Sequence, residues 1–391
     1  MSTPTEDRRR AIAQSGWGEE FRLFQPHNLA FWVYCLLVVA GALVLLGQVS
    51  IALAAYSGAL VSGIVVFGLV AAAYLGFLRH TDRYTTVPPK LAGAGFVWGF
   101  VAATGAFAMV ANDALISLYA KGFGASFATD WGAALAAPIN EEVAKGAGIL
   151  LLLTLAPRLI RSPLDGLILG AFVGLGFQIS EDISYAWIGA ANSFGDLGAA
   201  WQTIVARTIV SLTSHWTFTA IFGAGLIWFI GRPDAPARKW LGAGLMLTAI
   251  LTHGLWDASS AIGGDTALGW IVPLIVTVVL ISVLIWVYKN SEPVEREWMR
   301  EILAPEVERG VVTPAELEAL AGPRSTLRNH LHSQPDRRRA KRVLHAETEL
   351  AHRIARDDGA DTPAVQQARV AVVEARQRGS VESGRSAQLQ G

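Results

Sequence analysis

The sequence predicts an all-α, polytopic membrane protein with about eight transmembrane helices and a helical C-terminal tail. Three observations lead to this fold class. Hydrophobic residues make up 52% of the 391 residues, and the mean hydropathy is +0.39. The apolar residues occur in blocks of roughly 20, the length that crosses a bilayer as a helix. Charged residues lie mainly outside these blocks, above all in the C-terminal part of the chain.

The connections between the apolar blocks give the orientation, because Lys and Arg are retained on the cytoplasmic side of a membrane. Such residues occur in the N-terminal tail and in the even-numbered connections, the second of which contains Arg79, Arg83 and Lys90. The odd-numbered connections contain only Lys121. We therefore expect both termini to be cytoplasmic. The predicted spans cover residues 29–47, 52–78, 91–118, 132–154, 165–189, 200–230, 240–262 and 267–288.

Composition divides the chain into three parts. Residues 1–28 form a polar N-terminal tail, residues 29–288 form the membrane domain, and residues 289–391 form a charged, helical cytoplasmic tail. In the last part, Thr313-Pro314-Ala315-Glu316 has the pattern of a capped helix start. The final dozen residues are rich in Ser, Gly and Gln, and we expect them to be disordered.

Partner and cofactor classes are limited by the same composition. The single cysteine, Cys35, excludes a disulfide framework or a thiolate metal cluster within one chain. Charged residues balance to a formal net charge of +0, which by itself indicates neither an acidic nor a basic partner. We expect the lipid bilayer as a partner and no nucleic acid.

Ionisable residues occur inside four consecutive predicted spans. A charge at mid-bilayer costs roughly 2.5–3.5 kcal/mol on insertion scales, so that such residues usually face a partner or a water-filled cavity. At about 1.5 Å of helix rise per residue, Glu142, Glu181 and His253 each lie about 15 Å from the outer edge. This shared depth predicts one site. Its candidate members are Glu141, Glu142, Lys145, Glu181, His215, His253 and Asp257.

The spacing of these residues places several of them on common helix faces. Glu141 and Glu142 are four and three residues before Lys145, so both carboxylates can reach its ammonium group. One lysine cannot neutralise two carboxylates, which leaves one acid for general acid–base chemistry. A buried ion pair that fixes helix register is the structural alternative. Further i, i+4 patterns are Phe177/Glu181/Tyr185, Arg207/Ser211/His215/Thr219 and His253/Asp257.

Two histidines and a carboxylate with an open position are a common catalytic zinc set, with a further glutamate as the base for the bound water. The helical signature His-Glu-x-x-His is absent, so such a set would be assembled across helices. The paired glutamates also leave an aspartyl-dyad-like mechanism open.

The ordered motifs resemble the PrsW family of bacterial intramembrane proteases. The resemblance covers roughly residues 130–260 and excludes the charged tail. Its motifs are Glu-Glu-x-x-Lys at 141–145, Phe-x-x-x-Glu with a following Tyr at 177–185, a histidine at 215 with Gly223 after it, and His-x-x-x-Asp at 253–257.

The resemblance implies specific roles for these residues. Glu141 or Glu142 would activate water, with Lys145 beside them, while Glu181, His215 and His253 would bind zinc or stabilise the oxyanion. Asp257 would be a further ligand or would orient a ligand. A glutamate–histidine mechanism without a metal is the second possibility, and the sequence does not separate the two.

The implied activity is site-specific cleavage of membrane-anchored proteins, including anti-sigma factors, in a bacterial plasma membrane. A proton- or ion-coupled transporter is the alternative from a different class, because intramembrane Glu, Asp and His also form proton relays. Transporters commonly contain inverted repeats. No match between spans one to four and five to eight supports that alternative, since the polar residues concentrate in spans four to seven.

Overall fold

The structure is a computed structural model that describes residues 4–81, 87–232, 236–264 and 266–377. Within these ranges it is helical and contains no β-strand, which confirms the all-α fold class. The chain divides into two compact units, Phe21–Asn290 and Met1–Glu20 with Ser291–Gly391. Arg83 and the final dozen residues, which carried a topology and a disorder prediction, lie outside the described residues.

The first long helix contains both of the first two predicted spans. Helix α1 covers Pro4–Ser15, and α2 covers Leu29–Thr81 with a non-helical residue at Tyr56 (φ −137°, ψ 38°). The predicted connection at residues 48–51 is therefore wrong, because the chain stays helical there. Its polar residues are compatible with a helix: the Ser50 hydroxyl donates to the Gly47 carbonyl oxygen of the same helix at 2.7 Å.

The next three predicted spans correspond to continuous helical segments. Helix α3 (Pro89–Val97) continues through a π-helical stretch, Trp98–Ala108, into α4 (Met109–Phe123). Helix α5 covers Ala125–Leu155 and α6 covers Pro163–Ala191. Each runs a few residues beyond the predicted limits.

The sixth predicted span, 200–230, is wrong as a single helix. Helix α7 (Leu197–Val210) ends in a 3₁₀ turn at Ser211–Thr213, and α8 covers His215–Ile230. Between them, Ser214 has φ −125° and ψ −125°. Side-chain hydrogen bonds stabilise this break: Gln178 Nε2 donates to the Ser211 carbonyl oxygen at 3.0 Å, and Ser214 Oγ donates to Gln178 Oε1 at 2.8 Å.

The remaining helices of this region are α9 (Lys239–Asp257), α10 (Ser259–Gly263) and α11 (Ala267–Glu308). In the part of the chain that the structure describes, four helices are long and apolar enough to cross a membrane by length and composition. In the others, α5 carries three charged residues at 141–145, and α7 and α8 have only 14 and 16 residues. The four are Leu29–His80, Pro89–Phe123, Pro163–Ala191 and Ala267–Glu308.

The first half of α2 runs parallel to the α3–α4 segment. The Tyr34 hydroxyl donates to the Ala94 carbonyl oxygen at 2.8 Å. Further along, Gly41 lies against the backbone of Val101. Residue numbers therefore rise together in the two helices.

The second half of α2 runs in the opposite direction, because it packs antiparallel to α6. Gly63 lies against Ala186 near the end of α6. Phe77 lies edge-on to Trp216, at 6.1 Å between ring centroids, and Trp216 packs beside Gly174 in the middle of α6. The break at Tyr56 thus separates two oppositely directed halves.

Helix α6 is the central helix of the Phe21–Asn290 unit. Its glycines allow close helix contact: Gly170 and Gly174 lie against the α8 backbone at Thr219 and His215. On the other side, Gly176 lies against the carbonyl oxygen of Phe96. A side chain at any of these glycines would collide with backbone, so they set how closely the site-bearing helices approach.

The second unit combines the N-terminal helix with the C-terminal tail. Its helices after α11 are α12 (Pro314–Ala321), α13 (Arg324–Ser333), α14 (Arg337–Arg356) and α15 (Pro363–Gln377). The predicted capping box is confirmed, because Thr313 and Glu316 each accept from the other's backbone N–H. Within the unit, Arg8 Nη2 of α1 donates to Glu306 Oε1 at 3.2 Å.

Candidate active site

Both glutamates of α5 reach the same lysine, as their spacing predicts. Lys145 Nζ lies 2.7 Å from Glu142 Oε1 and 3.4 Å from Glu141 Oε2. All three side chains are buried, and Lys145 and Glu142 are completely inaccessible. The indole N–H of Trp98 donates to the Ala144 carbonyl oxygen at 2.9 Å, which fixes this turn of α5 against the π-helical stretch.

Both carboxylate oxygens of Glu142 accept hydrogen bonds. Its Oε1 accepts from Lys145, and its Oε2 accepts from the Thr219 hydroxyl of α8 at 3.0 Å. His253 Nδ1 of α9 lies 3.2 Å from Oε1. A buried carboxylate with a cation and a hydroxyl donor has its lone pairs largely satisfied.

Glu141, in contrast, has one satisfied and one unsatisfied oxygen. Oε1 accepts from Asn112 Nδ2 of α4 at 3.0 Å, and Asn140 Nδ2 in turn donates to Asn112 Oδ1 at 3.2 Å. Oε2 is buried without a hydrogen-bond partner. It lies 3.6 Å from His215 Nδ1 and 3.8 Å from His253 Nε2. Buried polar atoms are nearly always satisfied, so this oxygen beside two histidines is a candidate functional group.

His215 is oriented from both sides of its ring. Lys145 Nζ lies 3.1 Å from Nδ1, and an ammonium group can only donate, so that Nδ1 is the acceptor. The Nε2–H then donates to Glu181 Oε2 at 2.8 Å. The lone pair of Nδ1 therefore faces Lys145 and the unsatisfied oxygen of Glu141.

Glu181 and the adjacent Asp182 of α6 share one arginine. Arg207 of α7 donates through Nη2 to Glu181 Oε2 at 2.6 Å and through Nε to Asp182 Oδ1 at 2.5 Å. The Ser211 hydroxyl donates to Asp182 Oδ2 at 2.8 Å. Tyr185 completes this group, with its ring 4.3 Å below the Arg207 guanidinium.

His253 and Asp257 lie one helical turn apart on α9. His253 Nε2 is 3.5 Å from Asp257 Oδ2. The imidazole stacks on Phe218 of α8, with ring centroids 4.7 Å apart and an interplanar angle of 9°. This stack fixes the plane of the ring.

These groups surround a cavity of about 470 Å³. Glu141, Glu181, His215, His253 and Asp257 line it, and so do Phe177 and Tyr185, which confirms the predicted shared face of α6. Gln48, Asp113, Trp187 and Trp256 also line the cavity.

One group of three side chains has the geometry to hold a metal ion. Among the described residues, Glu141, His215 and His253 each offer one ligand atom, and these atoms lie within 4.8 Å of one another. The donors are one carboxylate oxygen and two imidazole nitrogens, which is a zinc-type set. The unsatisfied Glu141 Oε2 is a member of this group.

Comparison with known proteins now assigns the family. The family model described as "PrsW family intramembrane metalloprotease" matches residues 87–287. The chain belongs to the PrsW family. No curated protein and no solved structure matches it. The chain is therefore an intramembrane endopeptidase with membrane-protein substrates, and its several apolar helices are those of a multi-pass membrane protein.

All seven sequence-predicted residues of this PrsW-family chain come together in one cluster, but their contacts differ from those assumed. Arg207, Ser211, His215 and Thr219 do not share one helix stripe, because the helix breaks at Ser211–Ser214. The assignment of Glu181 as a metal ligand stays a prediction. In the structure Glu181 bonds Arg207 and His215, and Glu141 is the carboxylate that faces both histidines.

Sequence reasoning missed Asn112 as a member of the site. It lies on α4, in the third predicted span, and donates to Glu141. An amide inside an apolar stretch is itself a signal, because a buried polar side chain needs a partner. Its partner lies 29 residues away on another helix, so that no short spacing pattern shows the pair.

Proposed function

We propose that this PrsW-family protease hydrolyses peptide bonds of membrane-anchored proteins at Glu141, with a zinc ion held by Glu141, His215 and His253. The observation that carries the proposal is the unsatisfied Glu141 Oε2, which faces both histidines inside the cavity. A bound zinc ion would supply an acidic water and polarise the scissile carbonyl group. The donor set fits zinc in chemistry and in number, with one position left open for water.

The surrounding residues keep these three side chains in place. Glu142 binds Lys145, and Lys145 reaches Nδ1 of His215. Glu142 would therefore hold Lys145 in place and balance its charge. Glu181 orients His215 through Nε2, and Asp257 lies beside His253. Side chains that orient ligands in this way usually matter nearly as much as the ligands.

A version without a metal uses the same oxygen. Glu141 Oε2 would then take the proton of the attacking water itself, with His215 and His253 beside it. General acid–base catalysis of this kind contributes roughly 10²–10⁴-fold. The metal content of the purified protein separates the two versions.

We further propose eight spans with both termini on the cytoplasmic side of a bacterial plasma membrane. The oppositely directed halves of α2 support two spans within that helix. The positive residues of the even-numbered connections support the orientation. In this topology the cavity opens at the outer side, because α6 and α9 both end there.

Single-span anti-sigma factors are the substrate class that we propose to test first. Family membership supports a protease, and no observation in the described residues favours a proton- or ion-coupled transporter instead. The protein would be reconstituted in liposomes with a single-span anti-sigma factor, and cleavage would be followed by mass spectrometry.

His215→Ala and His253→Ala should each abolish cleavage in that assay. His345→Ala is the matched control, because His345 is exposed in the C-terminal unit. Circular dichroism and elution profile would show that the variants fold. Cleavage at wild-type rates in either cavity variant contradicts the proposal.

A further inference from the structure

An apolar groove lies beside the catalytic cavity, between α7 and the start of α11. Its volume is about 550 Å³, and no charged residue lines it. Several of its side chains are well exposed, with 62% of Ile209 and 75% of Trp270 accessible. The principal lining residues are Gly198, Trp201, Val205, Ala206, Ile209 and Trp270.

Helix α7 forms this groove because it is short and has two different faces. At about 1.5 Å per residue, its 14 residues extend roughly 21 Å, less than the hydrocarbon core. One face carries the buried Ile204 and directs Arg207 to Glu181. The opposite face presents Val205 and Ile209, which are 54% and 62% exposed. The exposed face is therefore on the same short helix as a side chain of the active site.

The groove and the catalytic cavity meet at Val210. This residue lines both, and its neighbours Arg207 and Ser211 line the cavity. On the other side of the cavity lie His253 and Asp257 of α9. An apolar chain in the groove would thus be one side chain away from the cavity.

A second apolar groove shows that an apolar lining alone does not identify a substrate-binding site. It lies between α9 and α11, also has a volume of about 550 Å³, and shares no lining residue with the cavity. Its lining includes Trp240, Gly244, Thr248, Ser282 and Trp286. The two grooves differ in their continuity with the active site, so that the second is a natural control.

We propose that the α7–α11 groove binds the transmembrane segment of the protein substrate and delivers it past Val210 to the catalytic cavity. The inference rests on the endopeptidase function. An intramembrane protease must take an apolar segment from the lipid, and this groove is apolar, exposed and joined to the cavity. Shape and hydrophobicity favour a helical segment of a membrane protein over a soluble peptide.

Filling each groove with a tryptophan tests the proposal. Ala206→Trp would obstruct the α7–α11 groove, and Gly244→Trp would fill the control groove, where a new side chain meets open space. The readout is kcat/KM for a single-span substrate divided by kcat/KM for a water-soluble peptide with the same cleavage sequence. Ala206→Trp should lower this ratio by about tenfold, equivalent to about 1.4 kcal/mol, mainly through KM. Gly244→Trp should leave it at the wild-type value.

An unchanged ratio in Ala206→Trp, or an equal fall in Gly244→Trp, would overturn the proposal. Site-specific photocrosslinking gives a readout that does not depend on cleavage. A benzophenone side chain at Ile209 should crosslink to the substrate's membrane segment in the His253→Ala background, and one at Ser282 should not. Crosslinks at Ser282 alone contradict the docking site. Failure of the wild type to cleave either substrate contradicts the protease function instead, while the crosslinks still test docking.

Discussion

Two acidic pairs each place one member, Glu141 or Glu181, in the lining of the same cavity, and each pair has one cation. Glu141 and Glu142 share Lys145 on one helix, whereas Glu181 and Asp182 share Arg207 from a neighbouring helix. The arginine contacts both partners directly, at 2.6 and 2.5 Å. The lysine lies 2.7 Å from one glutamate and 3.4 Å from the other.

The difference lies in the shape of the two cations. A guanidinium group presents donors in a fork and can hold two carboxylates at once, whereas an ammonium group is a compact point charge. Arg207 therefore donates to both Glu181 and Asp182, and the Ser211 hydroxyl donates to the second oxygen of Asp182. The Lys145 pair leaves Glu141 Oε2 without a hydrogen bond, next to two histidines. We infer that the arginine pair holds the site together and the lysine pair reacts.

A third pair, in the C-terminal unit, has the same arrangement of two acids and one cation. Arg376 Nη2 lies 2.6 Å from Glu316 Oε2 and 3.2 Å from Glu347 Oε1. Glu347 is fully buried, and burial together with the nearby Glu316 raises its pKa to about 9. One cation for two acids thus occurs in this chain as a purely structural device, and histidines beside a free oxygen distinguish the catalytic case.

The largest expected effect is on cleavage activity, which should depend more on the Glu141–Glu142 pair than on the Glu181–Asp182 pair. Glu141→Gln removes the carboxylate oxygen that would bind zinc or, in the version without a metal, act as the base, and should lower kcat by about 10²–10⁴-fold. Asp182→Asn keeps the Glu181–Arg207 contact and should cost less than about tenfold. Both are measured with the liposome cleavage assay. Equal losses in the two variants would show that the pairs do not differ in role.

The next largest effect is on the stability of the fold, to which we expect the Glu181–Asp182 pair with Arg207 to contribute. Arg207→Met leaves the buried Asp182 and the partly exposed Glu181 without their cation, which should destabilise the fold by up to about 3–5 kcal/mol. Arg207→Lys keeps the charge and should recover part of this loss. Thermal unfolding in detergent measures both variants. A wild-type midpoint in Arg207→Met would contradict a structural role for this pair.

A smaller effect tests whether the hydrogen bond from Asn112 orients the Glu141 carboxylate. Asn112→Ala removes the hydrogen bond to Oε1 and should lower kcat by about tenfold with little change in KM, since a hydrogen bond to a charged group contributes about 1.5–3 kcal/mol. Asn140→Ala is the control, because Asn140 reaches Glu141 only through Asn112. A larger effect at Asn140 than at Asn112 would contradict this role.

The smallest effect concerns the pair in the C-terminal unit. Because the folded-state pKa of Glu347 is about 9 and the ordinary value is 4.5, its contribution to stability is full below pH 4.5 and is lost as the pH rises through about 9. Glu347→Gln resembles the protonated form and should flatten this decline. Hydrogen exchange of α14 between pH 6 and 9, corrected for intrinsic rates, measures it. The same decline in the variant would exclude Glu347 as its origin.

The sequence predicted the all-α class and the members of the site for a simple reason. Charges in apolar stretches are costly, so Glu141, Lys145, Glu181 and His253 stand out without any structure. Helical spacing also predicted the contacts within α5, because residues three and four apart are neighbours.

Helical spacing could not predict the contacts between different helices or the places where a helix breaks. The break at Ser211–Ser214 is stabilised by Gln178, which is 33 residues from Ser211. Glu181 has its arginine on another helix, so that its role as a holding residue has no spacing signal. The joining of residues 4–20 to the tail likewise rests on pairs such as Arg8 and Glu306, which are 298 residues apart.

The zinc content of purified wild type, Glu141→Gln and Glu181→Gln tests the central claim most directly. The account predicts about one zinc ion per chain in the wild type and in Glu181→Gln, and a strong loss in Glu141→Gln, because Glu141 belongs to the ligand set and Glu181 only orients His215. Metal analysis after dialysis against a weak chelator provides the numbers. Zinc retained in Glu141→Gln but lost in Glu181→Gln, or negligible zinc in all three, would contradict it.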